Sequence, residues 1–487
     1  MEGTRSTNLP AGLRALARAG VWVAAVSASL LAPLTAPACA STRSATPRPA
    51  ADAAPADASK VGDGGLAKNT PPDPSALDGG QVLLTASGQR AATSGYPFPA
   101  QIPTDHVFAD GWQVDFTHVI ATLDRVTLWE SPNLVPDDPS QHGKAVAEID
   151  GPWAIDLHQN GNGWPYVDGQ EPGDRAIAFG VLTRENLNGD MPFPTDGTRL
   201  AIGFSAVVAT PNALDVNLDD DGRAAYGRMV AQGCVVLYVG TAVYSGDKGL
   251  CNGAPQALDA GGGGAPVGTG TEAEFGLVPK TVSFDLCFKP RSGGLHAGDV
   301  ETSWINCESA EVDAGATADA SDAGDDAADA DSGAAITGRG FAVPSRGYAT
   351  VQLTLRVDAP FGESTRPNAP ARFDPFAAQV VGAQAEGGVP TVHLDDTGGV
   401  DFEAFTDKQG NPLPWRTCDP AYSSPDGGRR SGPMAYDPAP VRRCSGDASR
   451  DGLCDYEDFA KYDQSAQGRF GGSQGFCYVQ RAYPSPP

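Results

Sequence analysis

No apolar run beyond the first forty residues reaches the length of a membrane span, and long stretches of helical periodicity are scarce. Basic charge is also in short supply: 34 Lys and Arg stand against 60 Asp and Glu, for a net charge of -26 and a pI near 4.5. Nucleic acid and anionic membrane surfaces repel such a protein, so neither is its expected partner. Gly-rich phosphate loops, the H-E-x-x-H zinc helix, the G-x-S-x-G elbow and paired C-x-x-C knuckles are all missing. These absences lower the expectation of an enzyme, and the residues nominate no catalytic group and no organic cofactor. An enzyme assembled from distant positions is still compatible with them.

Turn formers, by contrast, are abundant. Gly (60) and Pro (41) favour short strands and many turns over long helices. At 487 residues the chain is long enough for one large or two medium domains once its tails are set aside.

The first 38 residues have the parts of an export signal in order. Arg5, Arg14 and Arg18 make a basic n-region, 21–32 is apolar, and Ala36-Pro37-Ala38 supplies small residues at a cleavage point. The expected destination is the periplasm, the outer membrane or the exterior. Residues 39–100 begin with a Ser-, Pro- and Ala-rich run without periodicity, and the whole stretch is assigned as a disordered tether. Of nine Cys, Cys39 directly follows the small-residue motif. It is a lipidation candidate, which would make a lipid anchor the only membrane contact; plain secretion is the alternative. The eight that remain, Cys234, Cys251, Cys287, Cys307, Cys418, Cys444, Cys454 and Cys477, suit disulfides in an oxidising compartment. Their pairing is not decided by spacing.

Residues 101–415 read as a β-rich domain, an antiparallel sandwich or barrel-like fold with few helices. Trp112, Val114, Phe116, His118 and Ile120 alternate with Gln113, Asp115 and Thr117, the period-2 mark of a half-buried strand. "TVSFDLCF" places Val282, Phe284, Leu286 and Phe288 on one face. "ATVQLTLRV" places Val351, Leu353, Leu355 and Val357 opposite Thr350, Gln352 and Thr354. "GCVVLYVGTAVY" (233–244) is apolar throughout, as for a strand covered on both sides. One helix is expected in "DDGRAAYGRMVAQG", with Asp221 at its cap, Tyr226, Met229 and Val230 on its apolar stripe and Gly233 at its end. An acidic, small-residue insertion at 311–336 has no large side chain to bury and is expected to be disordered. Residues 416–487 form a Cys-rich tail.

Two kinds of residue invite metal chemistry. His118, His158 and His393, each near aspartates, have the imidazole and carboxylate donors that zinc or copper takes. Among the aspartate clusters, "DVNLDDDGRAAYG" fails as a calcium loop. In one frame Asp220 stands where a turn Gly is needed, and in the other Arg228 stands where the last carboxylate is needed. "DASRDGLCDYEDF" (447–459) keeps both in register: Asp447, Ser449, Asp451, the Leu453 carbonyl, Asp455 and Asp458, with Gly452 sixth. It resembles the calcium loop of the EF-hand family, which implies Ca2+ held by these oxygens and an exiting helix from Phe459 onward. It departs from that pattern in its Asp at the last position, in Pro438 and Pro440 where a first helix would run, in Cys454 at the eighth position, and in having no second loop. Through "FTHVIATL", "IDLHQNG" and "GVDFEAFTDKQGNPLPW" the chain is also loosely similar to exported bacterial proteins of unknown function.

The expectation is therefore an exported, non-enzymatic protein with a structural calcium site and an unidentified protein or small-ligand partner. A secreted His/Asp metal-binding protein or metal-dependent enzyme is the alternative.

Overall fold

One strand organises the molecule. Trp112–Trp129 is 18 residues long in the computed structural model and pairs with four others. The structure describes residues 66–101, 106–130, 143–159, 166–168, 173–246, 275–289, 341–362, 370–382, 388–400, 406–411, 413, 416, 418 and 455–465. The signal segment, Cys39, the acidic insertion, Cys251, Cys307, Cys444, Cys454, Cys477 and loop positions 447–454 lie outside these residues.

In chain order the strands are β1 (Ala67–Lys68), β2 (Gln81–Ser87), β3 (Trp112–Trp129), β4 (Ala145–Ile149), β5 (Trp153–Asp156), β6 (Tyr166–Asp168) and β7 (Arg175–Leu182). They continue with β8 (Arg199–Ala206), β9 (Leu214–Asp215), β10 (Val236–Tyr244), β11 (Thr281–Phe288), β12 (Phe341–Ala342), β13 (Tyr348–Thr354) and β14 (Thr391–His393). The helices are α1 (Gln89–Ser94), α2 (Asp220–Gln232), α3 (Asp374–Ala377) and α4 (Tyr456–Ser465). The protein is mainly β with few helices.

A ten-stranded sheet runs β1-β9-β5-β3-β10-β11-β14, with β4 and β8 also on β3 and β12 on β8; a four-stranded sheet runs β13-β2-β7-β6. Both sheets are mixed, since β1/β9, β5/β9, β11/β14 and β13/β2 are parallel pairs. Side chains from both sheets share one core: Val82, Leu84 and Ala86 of β2 and Ile177 and Phe179 of β7 join Val114, Phe116, Val282, Phe284 and Leu286. The alternation expected for 281–288 and 350–357 is therefore what the strands use.

β3 departs from its expected alternation. Trp112, Val114 and Phe116 face the large core, but so do Val119, Ala121 and Leu123, while Ile120 faces a second, smaller cluster. The change of phase coincides with a register shift at Val239/Gly240 of the neighbouring β10. Gly240 is needed there, because a Cβ would lie 2.2 Å from the Asp115 carbonyl oxygen. His118 thus shares a side with Ile120 and not with Trp112 and Phe116, correcting the expected face. The phase slips again at Arg125, which has φ 41° at the register shift between Asp124 and Thr127.

The smaller cluster lies beneath α2. Tyr226 and Met229 pack on Ile120, Leu237 and Cys287, and the Tyr226 hydroxyl donates to the Thr210 carbonyl at 3.2 Å. The helix closes on left-handed Gly233, as expected, but its cap is Asp219 and not Asp221: the Gly222 N–H donates to Asp219 Oδ1 at 2.7 Å. Cys234, at the start of the following strand segment, is disulfide-bonded to Cys287 across a separation of 53 residues.

Two expected boundaries change. Residues 66–100 are not tether, because β2 is an interior strand of the second sheet and Ala92 of α1 is buried. Nor does the described part of the tail form a separate domain. Tyr456, Phe459 and Ala460 of α4 belong to the main core, and the described residues from 66 to 465 fall in one compact unit. The Tyr456 ring lies edge-on to Phe376 with centroids 5.4 Å apart.

Replacing Cys234 and Cys287 together by serine should lower unfolding free energy by about 2–5 kcal/mol, the usual range for removing a native disulfide. Denaturant unfolding of both proteins measures it, with a somewhat steeper slope expected for the variant, whose unfolded chain is no longer cross-linked.

Candidate functional site

The most chemically poised group among the described residues is a buried His–Asp pair. His118, on β3, is 8% exposed, and Asp156, the last residue of β5, is fully buried. The two strands are antiparallel neighbours with Ile120 opposite Asp156. At the end of β5 the Asp156 side chain takes over a backbone bond: its Oδ1 accepts the Val119 N–H at 3.0 Å, while the Leu157 N–H donates to the Val119 carbonyl at 2.7 Å. Asp156 Oδ1 also accepts the His158 N–H at 3.0 Å, and its Oδ2 accepts from His118 Nδ1 at 2.7 Å. Three donors offset the cost of taking this carboxylate out of water.

The strand end is held from the other side by Asn217. Its Oδ1 accepts the Asp156 N–H at 2.9 Å, and its Nδ2 donates to the Asp156 carbonyl at 2.8 Å and the Gln159 carbonyl at 2.5 Å. Asp215, two residues earlier, is fully buried; it accepts from Lys68 Nζ at 2.6 Å, from Arg223 Nη1 at 3.1 Å and from the Leu218 N–H at 2.9 Å. Each alternate polar residue of "DVNLD" is thus occupied within the fold, where Asp215 fixes the turn, Asn217 the end of β5, and Asp219 the start of α2. The segment caps a helix, as its sequence suggests.

The hydrogen bond to Asp156 is the largest influence on His118 and lifts its pKa above the usual range. Burial opposes it, and the charges of Asp156, Asp219 and Asp221 add to it. With Nδ1–H committed to Asp156, the neutral ring presents Nε2 as its basic nitrogen. That is the arrangement in which a histidine accepts a proton or ligates a metal, with the carboxylate fixing tautomer and orientation.

The other two histidines are placed in a similar way but elsewhere. His158 Nδ1 donates to the Ala92 carbonyl of α1 at 2.7 Å, and His393 Nδ1 to the Asp285 carbonyl at 3.3 Å. His118 pairs with Val239, Asp285 lies beyond Val239, and His393 pairs with Asp285. His118 and His393 are therefore three strand spacings apart, about 14 Å at roughly 4.8 Å per step. They do not meet at one ion, and among the described residues no group of three His, Cys, Asp or Glu side chains could hold one.

Of the EF-hand-like positions, Asp455 and Asp458 are described. Asp455 sits immediately before α4, and its carboxylate accepts the Gly399 N–H at 2.7 Å and the Asp458 N–H at 3.0 Å. It both caps the helix and ties it to the segment after β14, where the Tyr456 N–H donates to the Val400 carbonyl at 2.9 Å. The exiting helix runs Tyr456–Ser465, close to the expected span.

Sequence pattern alone does not reveal the tight partnership of His118 with Asp156. The only local signal for it is a polar residue on the apolar strand "FTHVIATL" and another on "WAIDL".

Asp156→Asn should return the His118 pKa toward its ordinary value, read by NMR titration of the ring. A His with a raised pKa contributes stability that is present below about pH 6.5 and lost as pH rises through the raised value. The wild-type protein should therefore lose this contribution above about pH 6.5, and the variant should not show that loss.

No family model, curated protein or solved structure matches this chain.

Proposed function

We propose that this chain is an exported, non-enzymatic protein of the cell envelope or the exterior. In this reading its disulfide-braced β-sandwich engages a protein or small-ligand partner, and its C-terminal region is stabilised by one calcium ion in the 447–458 loop. Export is supported by the ordered parts of the signal segment and by the Cys234–Cys287 disulfide, which persists in oxidising compartments. The observation that carries the calcium part is the position of α4: it starts directly after Asp455 and buries Tyr456 and Phe459 in the main core. A loop that ends there hands its constraint straight to the sandwich. The Asp455 carboxylate, already accepting two N–H groups, keeps lone pairs for a water-mediated contact with the ion.

A second reading, a zinc- or copper-binding protein or metal-dependent enzyme, is favoured by one observation only, the His118 ring held by Asp156 at Nδ1.

Calcium at about a hundred times its dissociation constant should add about 2.7 kcal/mol of stability, seen as a rise in Tm, and Asp451→Ala should abolish the rise. A Tm indifferent to calcium sinks the proposed site. A His118 resonance that shifts with added zinc and is silent in His118→Ala favours the second reading; an unresponsive ring removes it.

A further inference from the structure

The second sheet carries a group of reactive side chains on the face turned away from the main core. β13 and β2 run in parallel, with Thr350 opposite Leu83, Gln352 opposite Thr85 and Thr354 opposite Ser87. Val82, Leu84, Ala86, Val351 and Leu353 belong to the main core, so Thr85, Ser87, Thr350, Gln352 and Thr354 share the other face. Thr85, Ser87 and Thr350 are fully buried, and Gln352 is 1% exposed. Asp174, immediately before β7, is 3% exposed and reaches into the same group.

Asp174 holds a hydroxyl and a carboxamide at once. Its Oδ1 accepts from Ser87 Oγ at 2.5 Å and its Oδ2 from Gln352 Nε2 at 3.1 Å, across 87 and 178 residues of chain. Ser87 and Gln352 stand one strand across and two residues along from each other, roughly 8 Å between Cα atoms, a gap that their side chains can close. The other hydroxyls near the carboxamide are committed differently. Thr85 Oγ1 donates to the Val351 carbonyl at 3.1 Å. Thr354 Oγ1 accepts from Gln352 Nε2 at 3.0 Å, so it faces the amide nitrogen and not the carbonyl carbon. Ser87 is therefore the hydroxyl that the carboxylate can activate. Two atoms of the group have no hydrogen-bond partner among the described residues, Gln352 Oε1 and Thr350 Oγ1, and their side chains are two residues apart on one face.

We propose that Ser87 and Gln352 become joined by an ester bond that staples β2 to β13. Asp174 takes the Ser87 hydroxyl proton while Oγ attacks Gln352 Cδ, which forms the Oγ–Cδ bond and places negative charge on Oε1. The Thr350 hydroxyl, which donates to nothing else among the described residues, donates to that oxyanion. The Cδ–Nε2 bond then breaks as Asp174 passes the proton to Nε2, and ammonia leaves. One ester and one ammonia replace one hydroxyl and one carboxamide; Asp174 ends as it began, and no metal, oxidant or cofactor is consumed. Holding both reacting groups on one carboxylate within a folded sheet supplies the effective concentration that this otherwise slow exchange requires. Burial keeps water from reopening the ester. The reaction runs once per chain without turnover, so it stands apart from the calcium reading and is compatible with a non-enzymatic protein.

Peptide mass spectrometry of the digested, reduced full chain tests this. The peptides that contain Ser87 and Gln352 should travel together, lighter by one ammonia than their sum, and hydroxylamine should separate them and leave a hydroxamate at position 352. Ser87→Ala and Asp174→Asn should each give the two peptides apart, at their sequence masses. Separate, unmodified peptides from the folded wild type overturn the proposal, and that measurement needs no variant to fold. A cross-link that forms to the same extent in Asp174→Asn overturns the part given to the carboxylate. Loss of ammonia without the joined peptides, as cyclisation at an asparagine gives, overturns the ester as well.

Discussion

The structure depends on satisfying the backbone of β3. A buried strand must pair its N–H and C=O groups, and β3 does so with β10 over Trp112–Ala121, with β5 over Ile120–Leu123, with β8 over Leu123–Trp129 and with β4 over Val126–Trp129. No single partner is long enough, so the strand changes phase twice, at the register shifts near His118 and Arg125. Each shift rotates the side chains that follow. The first turns His118 and Ile120 toward α2 and Val119 and Ala121 toward the main core, and the His–Asp pair follows from that rotation.

The chain is strongly acidic, yet its buried carboxylates are provided with donors. Asp156 is held by two backbone N–H groups and His118, Asp215 by Lys68, Arg223 and a backbone N–H, and Asp374 by Trp112 and Arg416. Asp110 differs: one oxygen is satisfied twice, and the other has no donor among the described residues. Burial makes each of these interactions consequential, because a carboxylate without donors in a dry interior is among the costlier features a fold can contain. The same carboxylates join distant parts of the chain, 38 residues apart for His118 and Asp156 and 263 for Asp110 and Phe373.

Much of the fold is legible because strand burial has a period of two. The stretches 281–288 and 350–357 alternate in the structure as they do in the sequence, and the apolar run of β10 is covered on both faces over 236–239, by the main core and by the cluster beneath α2, while Val243 near its end is exposed. The helix at 220–232 is legible from its acidic start and Gly233, with the cap displaced by two residues from its expected place because three consecutive aspartates offer the same chemistry. Residues 66–100, assigned by composition to a tether, carry β2 and α1 instead. β2 has the apolar stretch Val82–Leu84, but its strand character depends on β13 and β7, which lie far along the chain. The site is less legible. "FADGW" and "RFDPF" each place an acid between large aromatics, the pattern of a buried carboxylate, but nothing local says that the two acids meet.

By itself the sequence determined the class of the fold, the positions of the core strands on either side of the acidic insertion, and the start of α4, because periodicity, turn chemistry and capping are local properties. Only the tertiary structure decided which face His118 takes, that Asp156 is its partner, that α4 belongs to the main core, that Arg416 is buried against Asp374, and that His118 and His393 stand three strands apart. Those outcomes are set by register and by bulges, where a slip of one residue exchanges the two faces of a strand and is decided by partners far away in the chain.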